Sequence, residues 1–89
     1  MDKSKLKLES RKLNPVIIIG KEGINQGVID HLKRVIKQKK LVKVKMLRSY
    51  IDSESENGLT KKQIGEKIAD LTGSLFVEVM GLTVSLAKK

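Results

Sequence analysis

Cysteine is absent from this chain of 89 residues, which removes disulfides and thiolate-held metals from any account of its stability or chemistry. Tryptophan is absent as well, and Tyr50 and Phe76 are the whole aromatic inventory. That scarcity argues against a platform on which nucleobases stack and leaves backbone and shape as what such a chain could read. Histidine occurs once, as His31 on the polar side of a helical pattern, three residues past Val28, and the carboxylates are scattered or gathered in one acidic stretch. No set of residues offers a nucleophile, a base and an oxyanion donor together, and none has metal-ligand spacing, so neither catalysis, cofactor, metal nor small-molecule substrate is expected. No apolar run approaches the roughly 20 residues of a membrane span, and the first residues are charged, so a soluble, cytoplasmic protein is expected. Acidic residues are the scarce charge: 10 against 19 basic ones, a net charge of +9 and a pI near 9.9. Such a balance suits a polyanion partner, whether RNA, DNA or anionic lipid.

What is there fits one domain over residues 1–89. Asp2 to Lys12 carries Leu6 and Leu8 among five basic side chains and reads as a short amphipathic helix or a basic arm, which Asn14-Pro15 ends. Val16 to Ile19 is an unbroken branched run, the pattern of a strand buried on both faces. Asn25 is a good N-cap for a helix over about Gln26 to Lys39, with Val28, Leu32, Val35 and Ile36 at helical spacing. Leu41 to Leu47 alternates around Val42, Val44 and Met46, a half-exposed strand with Lys43 and Lys45 on its open face. Ser49 to Gly58, holding Asp52, Glu54 and Glu56, reads as a mobile acidic loop. Thr60 caps a helix containing Ile64, Ile68 and Leu71 that stops at Thr72-Gly73, and two antiparallel strands meet at Gly81. The expected order is α-β-α-β-α-β-β, an α+β domain with a four-stranded mixed sheet covered by helices.

Two features carry function. Gly20-Lys21-Glu22-Gly23 follows the branched strand and precedes a helix. Paired glycines let the backbone approach a bulky group, the following helix turns unpaired N–H groups to the same spot, and Lys21 adds a positive charge, so phosphate is the natural guest. Glycines also punctuate ordinary turns, and Glu22 works against an anion, which places its carboxylate in solvent or beside a lysine. A Walker phosphate loop is excluded, because it needs four residues between its glycines followed by Lys-Ser/Thr. A KH domain places its Gly-x-x-Gly between helices, whereas here a strand precedes it. The second feature is the run from Lys33 to Arg48, with eight basic residues and no acidic one. An ordinary solvated face mixes both signs, so this block favours a phosphate-tracking surface.

With these elements in place the chain resembles the CRM-domain family, for chloroplast RNA splicing and ribosome maturation, and its stand-alone YhbY-like members. The resemblance runs from Leu6 to Leu86. It rests on Leu13-Asn14-Pro15-Val16-Ile17-Ile18-Ile19-Gly20-Lys21-Glu22-Gly23-Ile24, on Leu41-Val42-Lys43-Val44-Lys45, and on Thr72-Gly73 followed by Met80-Gly81. It implies a fold similar to the C-terminal domain of translation initiation factor three, and an RNA-binding module whose Gly-x-x-Gly loop lies on the RNA backbone. It also implies ribosomal RNA of the maturing large subunit, or introns in plant members, as targets. The chain departs from many relatives in closing with Ala87-Lys88-Lys89 rather than an aromatic-plus-arginine pair. The expected RNA-binding residues are Gly20, Lys21, Glu22, Gly23 and Asn25, with Arg11, Lys12, Lys40, Lys43, Lys45 and Arg48 spread over neighbouring backbone. Rival readings are an Alba-like DNA-coating chromatin protein and a protein-interaction module.

Overall fold

The computed structural model describes residues 3–89, so the Asp2 end of the expected first helix lies outside the described residues. The elements are α1 (Lys3–Ser10), β1 (Pro15–Ile19), α2 (Gln26–Lys39), β2 (Leu41–Met46), α3 (Arg48–Glu56), α4 (Lys61–Thr72), β3 (Leu75–Met80) and β4 (Thr83–Ala87). The sheet runs β1-β2-β4-β3, with β1 parallel to β2 and the other two pairings antiparallel. This is an α+β domain with a mixed sheet, as the pattern predicts.

Strand alternation sorts side chains between two layers. Val42, Val44 and Met46 of β2 and Val84 and Leu86 of β4 are wholly enclosed, and they pack with Leu32 and Ile36 of α2 and Ile64 and Ile68 of α4. At roughly 1.5–3 kcal/mol for each fully buried aliphatic side chain, this layer supplies most of the folding free energy. The opposite face is covered only in part: Leu6 of α1 packs on Val77, Ala87 and Leu41.

The helix ends follow local chemistry. Asn25 Oδ1 accepts the Val28 N–H at 2.9 Å and starts α2. Thr60 and Gln63 form a reciprocal capping box at the start of α4, and Gly73 closes that helix in the left-handed conformation at φ 63°. Lys40 ends α2 with φ 67°, the one non-glycine residue with positive φ among the described residues. Its carbonyl accepts the Lys88 N–H at 2.8 Å, so the turn ties α2 to the end of β4.

Two expectations require correction. Ser49 to Gly58 is not a mobile loop, because α3 occupies Arg48–Glu56 and the order becomes α-β-α-β-α-α-β-β. Only Tyr50 and Ile51 of α3 are buried apolar side chains. A stripe that narrow gives no periodic signal, and tertiary packing sustains a helix whose sequence is mostly Ser, Asp and Glu. Nor is β1 buried on both faces: Ile19 is enclosed while Ile18 is 58% exposed. β1 is an edge strand, and α1 sits over β2, β3 and β4 instead.

Candidate nucleic-acid interface

Parallel pairing of β1 with β2 sends both strands to the same end of the sheet, so α2 and α3, which follow them, begin side by side there. The connection after β1 is a tight turn in which the Gly23 N–H donates to the Gly20 carbonyl at 2.9 Å. Gly23 has φ 73°, a conformation glycine adopts without strain. A Cβ there would stand 3.5 Å from the Tyr50 ring, and one on Gly20 would stand 3.4 Å from Leu47 Cδ1. The turn therefore rests on the β2–α3 junction, which the Leu47 N–H bond to the Ile19 carbonyl at 2.9 Å also fixes. Lys21 and Glu22 at its tip are exposed, and no ion pair engages Glu22 among the described residues.

Both helix starts favour anions. Neither α2 nor α3 has an acidic residue in its first turn, and Leu47, at the N-cap of α3, provides no side-chain cap. The leading amides of each helix have no partner within their own helix. Each helix contributes about half a positive charge at its start, so two dipole ends and the Lys21 ammonium lie at one end of the sheet.

The sequence-predicted residues separate into three places. Gly20, Lys21, Glu22, Gly23 and Asn25 share the turn, with Arg48 at the start of α3 beside it. Lys43 and Lys45 stand on the sheet face turned away from α2 and α4. There Lys45 pairs in register with Ile18 and with Thr83, and Lys43 with Ser85. Lys40 lies at the opposite end of β2, about 20 Å from the turn at 3.3 Å per residue. Arg11 and Lys12 follow α1, and Arg11 is drawn into a two-pronged pair with Glu78, 3.2 Å to each carboxylate oxygen. Glu78 thus offsets the charge of Arg11, while Lys12 approaches Glu9, at 3.6 Å on an exposed surface. His31 is exposed on α2, and no group of acidic or histidine side chains among the described residues could hold a metal.

Tyr50, which the sequence offers either as a stacking ring at the rim of the basic strand or as a cover for the sheet's end, and Glu54 and Lys67, which it does not single out, complete the turn's surroundings. Tyr50 is 3% exposed, so it supports the turn from below and cannot stack on a base. Its hydroxyl is buried with no hydrogen-bond partner, and its pKa is pushed up to about 12, first by burial and then by the charge of Glu54. Glu54 in turn accepts from Lys67 Nζ at 2.8 Å, tying α3 to α4. Reading the segment as a helix would have revealed this set, since Tyr50, Ser53 and Glu54 lie three and four residues apart on one face.

Comparison with known proteins agrees with this architecture. The model of the CRS1 / YhbY (CRM) domain matches residues 1–88. The probable RNA-binding protein MJ0652 of Methanocaldococcus jannaschii is 32% identical over 84 residues, which is 94% of this chain. The chain spans 58% of the length of that relative. Among solved structures, the hypothetical protein SAV1595 from Staphylococcus aureus, described as a candidate RNA-binding protein, superposes with a TM-score of 0.74 at 25% identity. The match covers 98% of this chain and 83% of that one. With the family model spanning nearly the whole sequence over a strand–turn–helix of the expected form, the chain belongs to the CRS1 / YhbY (CRM) domain family.

Proposed function

We propose that this protein is a cytoplasmic RNA-binding protein without chemistry of its own. It docks the Gly20–Gly23 turn and the adjoining helix starts on the phosphates of structured RNA. The single observation that carries this reading is the exposed turn held by Leu47 and Tyr50 where two uncapped or neutral helix starts meet. Lys21 anchors the contact, Asn25 fixes the first turn of α2, and Arg48, Lys45 and Lys43 extend it over neighbouring backbone, with Lys40, Lys12 and Arg11 at the outer edge. Contacts of this kind position the protein on a duplex or a folded strand without reading its sequence, which suits a structured target. The names of the two relatives support RNA as the partner. Ribosomal RNA of the assembling large subunit is the target that the family resemblance points to.

The test is anisotropy at fixed salt with a structured fragment of large-subunit ribosomal RNA and a DNA duplex of equal length. RNA is expected to bind more tightly, with affinity falling steeply as salt rises. The Gly20→Ala/Gly23→Ala double variant is expected to lose at least tenfold while remaining folded by circular dichroism. A folded double variant that binds like the parent would refute the role of the turn, and preference for the duplex would favour the DNA-coating alternative.

A further inference from the structure

Beside the turn, on the side where α3 and α4 meet, lies a pocket of about 220 Å³. Lys21, Glu22 and Gly23 form one wall, and Tyr50, Ser53, Glu54 and Lys67 contribute to the rest. Its charge differs from that of the surface around it. Two lysines are matched by two glutamates, so a second phosphate gains nothing by entering, whereas a neutral polar group does. The volume lies below the roughly 300 Å³ at which sites for drug-sized ligands begin, the scale of a single base.

The polar groups define which base. Glu54 is 13% exposed at its side chain, and Lys67 Nζ donates to its Oε2 at 2.8 Å. Among the described residues no hydrogen bond engages Oε1. The pair therefore presents a carboxylate acceptor directly beside an ammonium donor. On their Watson–Crick edges only guanine sets two N–H donors, N1–H and the N2 amino group, next to a carbonyl acceptor, O6. Adenine and cytosine offer a single amino donor, and uracil a single N–H flanked by acceptors. Tyr50 also lines the pocket, and its buried hydroxyl is a further polar group that the fold itself leaves unmatched.

We propose that this pocket is a base-selective subsite that receives an unpaired guanine from the strand whose phosphate rests on the Gly20–Gly23 turn. Glu54 accepts from its N1–H and N2 amino group, and Lys67 donates to O6. The inference rests on the RNA-binding function proposed above and adds sequence preference to it. Unpaired bases in loops and bulges are what a protein can read in folded RNA, and each good two-point contact discriminates by about tenfold or more.

The test uses the full chain and four hairpin RNAs that differ only in one bulged nucleotide, G, A, C or U, with anisotropy at fixed salt. The bulged G hairpin is expected to bind about tenfold more tightly than the other three. Glu54→Gln, which replaces one acceptor by a donor, is expected to bring all four within about twofold. Ser53→Leu, which fills the pocket from an exposed position and leaves the Glu54–Lys67 pair in place, is expected to do the same. Thermal unfolding of both variants establishes that the folded protein is compared. Equal affinity of the parent for all four hairpins, with the double glycine variant weakening every one, would overturn the guanine subsite alone. A preference for G that survives both pocket variants would also overturn it. Failure of the parent to bind any hairpin, or unchanged binding by the double glycine variant, would instead remove the RNA-binding reading on which the subsite stands.

Discussion

The two halves of this domain differ in charge and in how firmly they are held. Residues 1–48 carry 14 of the 19 basic side chains and 4 acidic ones, while residues 49–89 carry 5 basic and 6 acidic. A charge bias along a sequence need not survive folding. Here it survives for the strands, because the sheet order β1-β2-β4-β3 places both strands of the first half at one side and both strands of the second half at the other, whereas α1 crosses over to β3 and β4. The first half is also the less enclosed: Ile18 is exposed, Lys43 and Lys45 occupy an open sheet face, and Lys40 holds an unfavourable backbone conformation. The second half contains the capping box, the Glu54–Lys67 tie and the Gly65 contact with Phe76, all devices that fix structure. The basic residues of β2 and of the β1 turn thus stay together, while those of α1 lie over the second half, where Arg11 meets Glu78.

That contrast can be broken most forcefully by charge. Reversing Lys43, Lys45 and Arg48 to glutamate is expected to lower affinity for structured RNA about 100-fold and to flatten its salt dependence by roughly three phosphate contacts. Reversing Lys61 and Lys62, at the start of α4, is expected to change affinity less than threefold. Equal losses in a titration of both variants over salt would show that the charge asymmetry is irrelevant to binding.

The opposite outcome, stability lost with binding retained, is expected at Gly65. A Cβ there would meet Phe76 Cε1 at 2.6 Å and Val79 Cγ2 at 3.1 Å. Gly65→Ala should therefore prise α4 from β3 and destabilise by about 1–2 kcal/mol, overpacking outweighing the better helix propensity of alanine. Urea unfolding measures the loss, and RNA affinity per folded molecule should stay within twofold.

Lys40 sharpens the comparison from the other side. A lysine at φ 67° is strained by about 1 kcal/mol relative to glycine, so Lys40→Gly is expected to stabilise by up to that amount while weakening RNA binding two- to threefold. Stability and affinity would then move in opposite directions at one residue, as a trade-off at a functional position requires.

The smallest effect belongs to Tyr50. Its phenol is neutral in the folded state up to a pKa of about 12, against 10.0 unfolded, so its contribution to stability is complete below pH 10 and declines as pH rises from 10 to 12. Tyr50→Phe removes an unpartnered buried hydroxyl and is expected to be neutral or stabilising by up to about 1 kcal/mol at pH 7. The difference in unfolding free energy between parent and variant should widen above pH 10, which isolates the phenol from lysines that titrate in both.

Sequence reasoning located what is local. The Asn25 and Thr60 caps, the glycine stop at Gly73, the alternation of β2 and the hairpin at Gly81 each depend on a few neighbouring residues, and each stands where its pattern places it. It missed α3, whose apolar face is two residues wide, and it overstated the burial of β1, because a branched run says nothing about whether a neighbour covers its second face. The candidate site was legible in the sequence as a turn and a charge run. Its pocket was not, since Glu54 and Lys67 lie 13 residues apart on different helices, and only the packing of α3 against α4 brings them together.

The strand that closes the sheet, β4, is the last element of the domain in chain order, yet it lies between β2 and β3 and carries Val84 and Leu86 with no exposure at all. Until that segment has left the ribosome, β2 has one neighbour rather than two, and the nascent chain is a cation-rich polymer without a finished interior. Commitment to the native state therefore waits on the final residues of the domain, and any truncation before Thr83 is expected to abolish cooperative unfolding rather than merely shorten the protein.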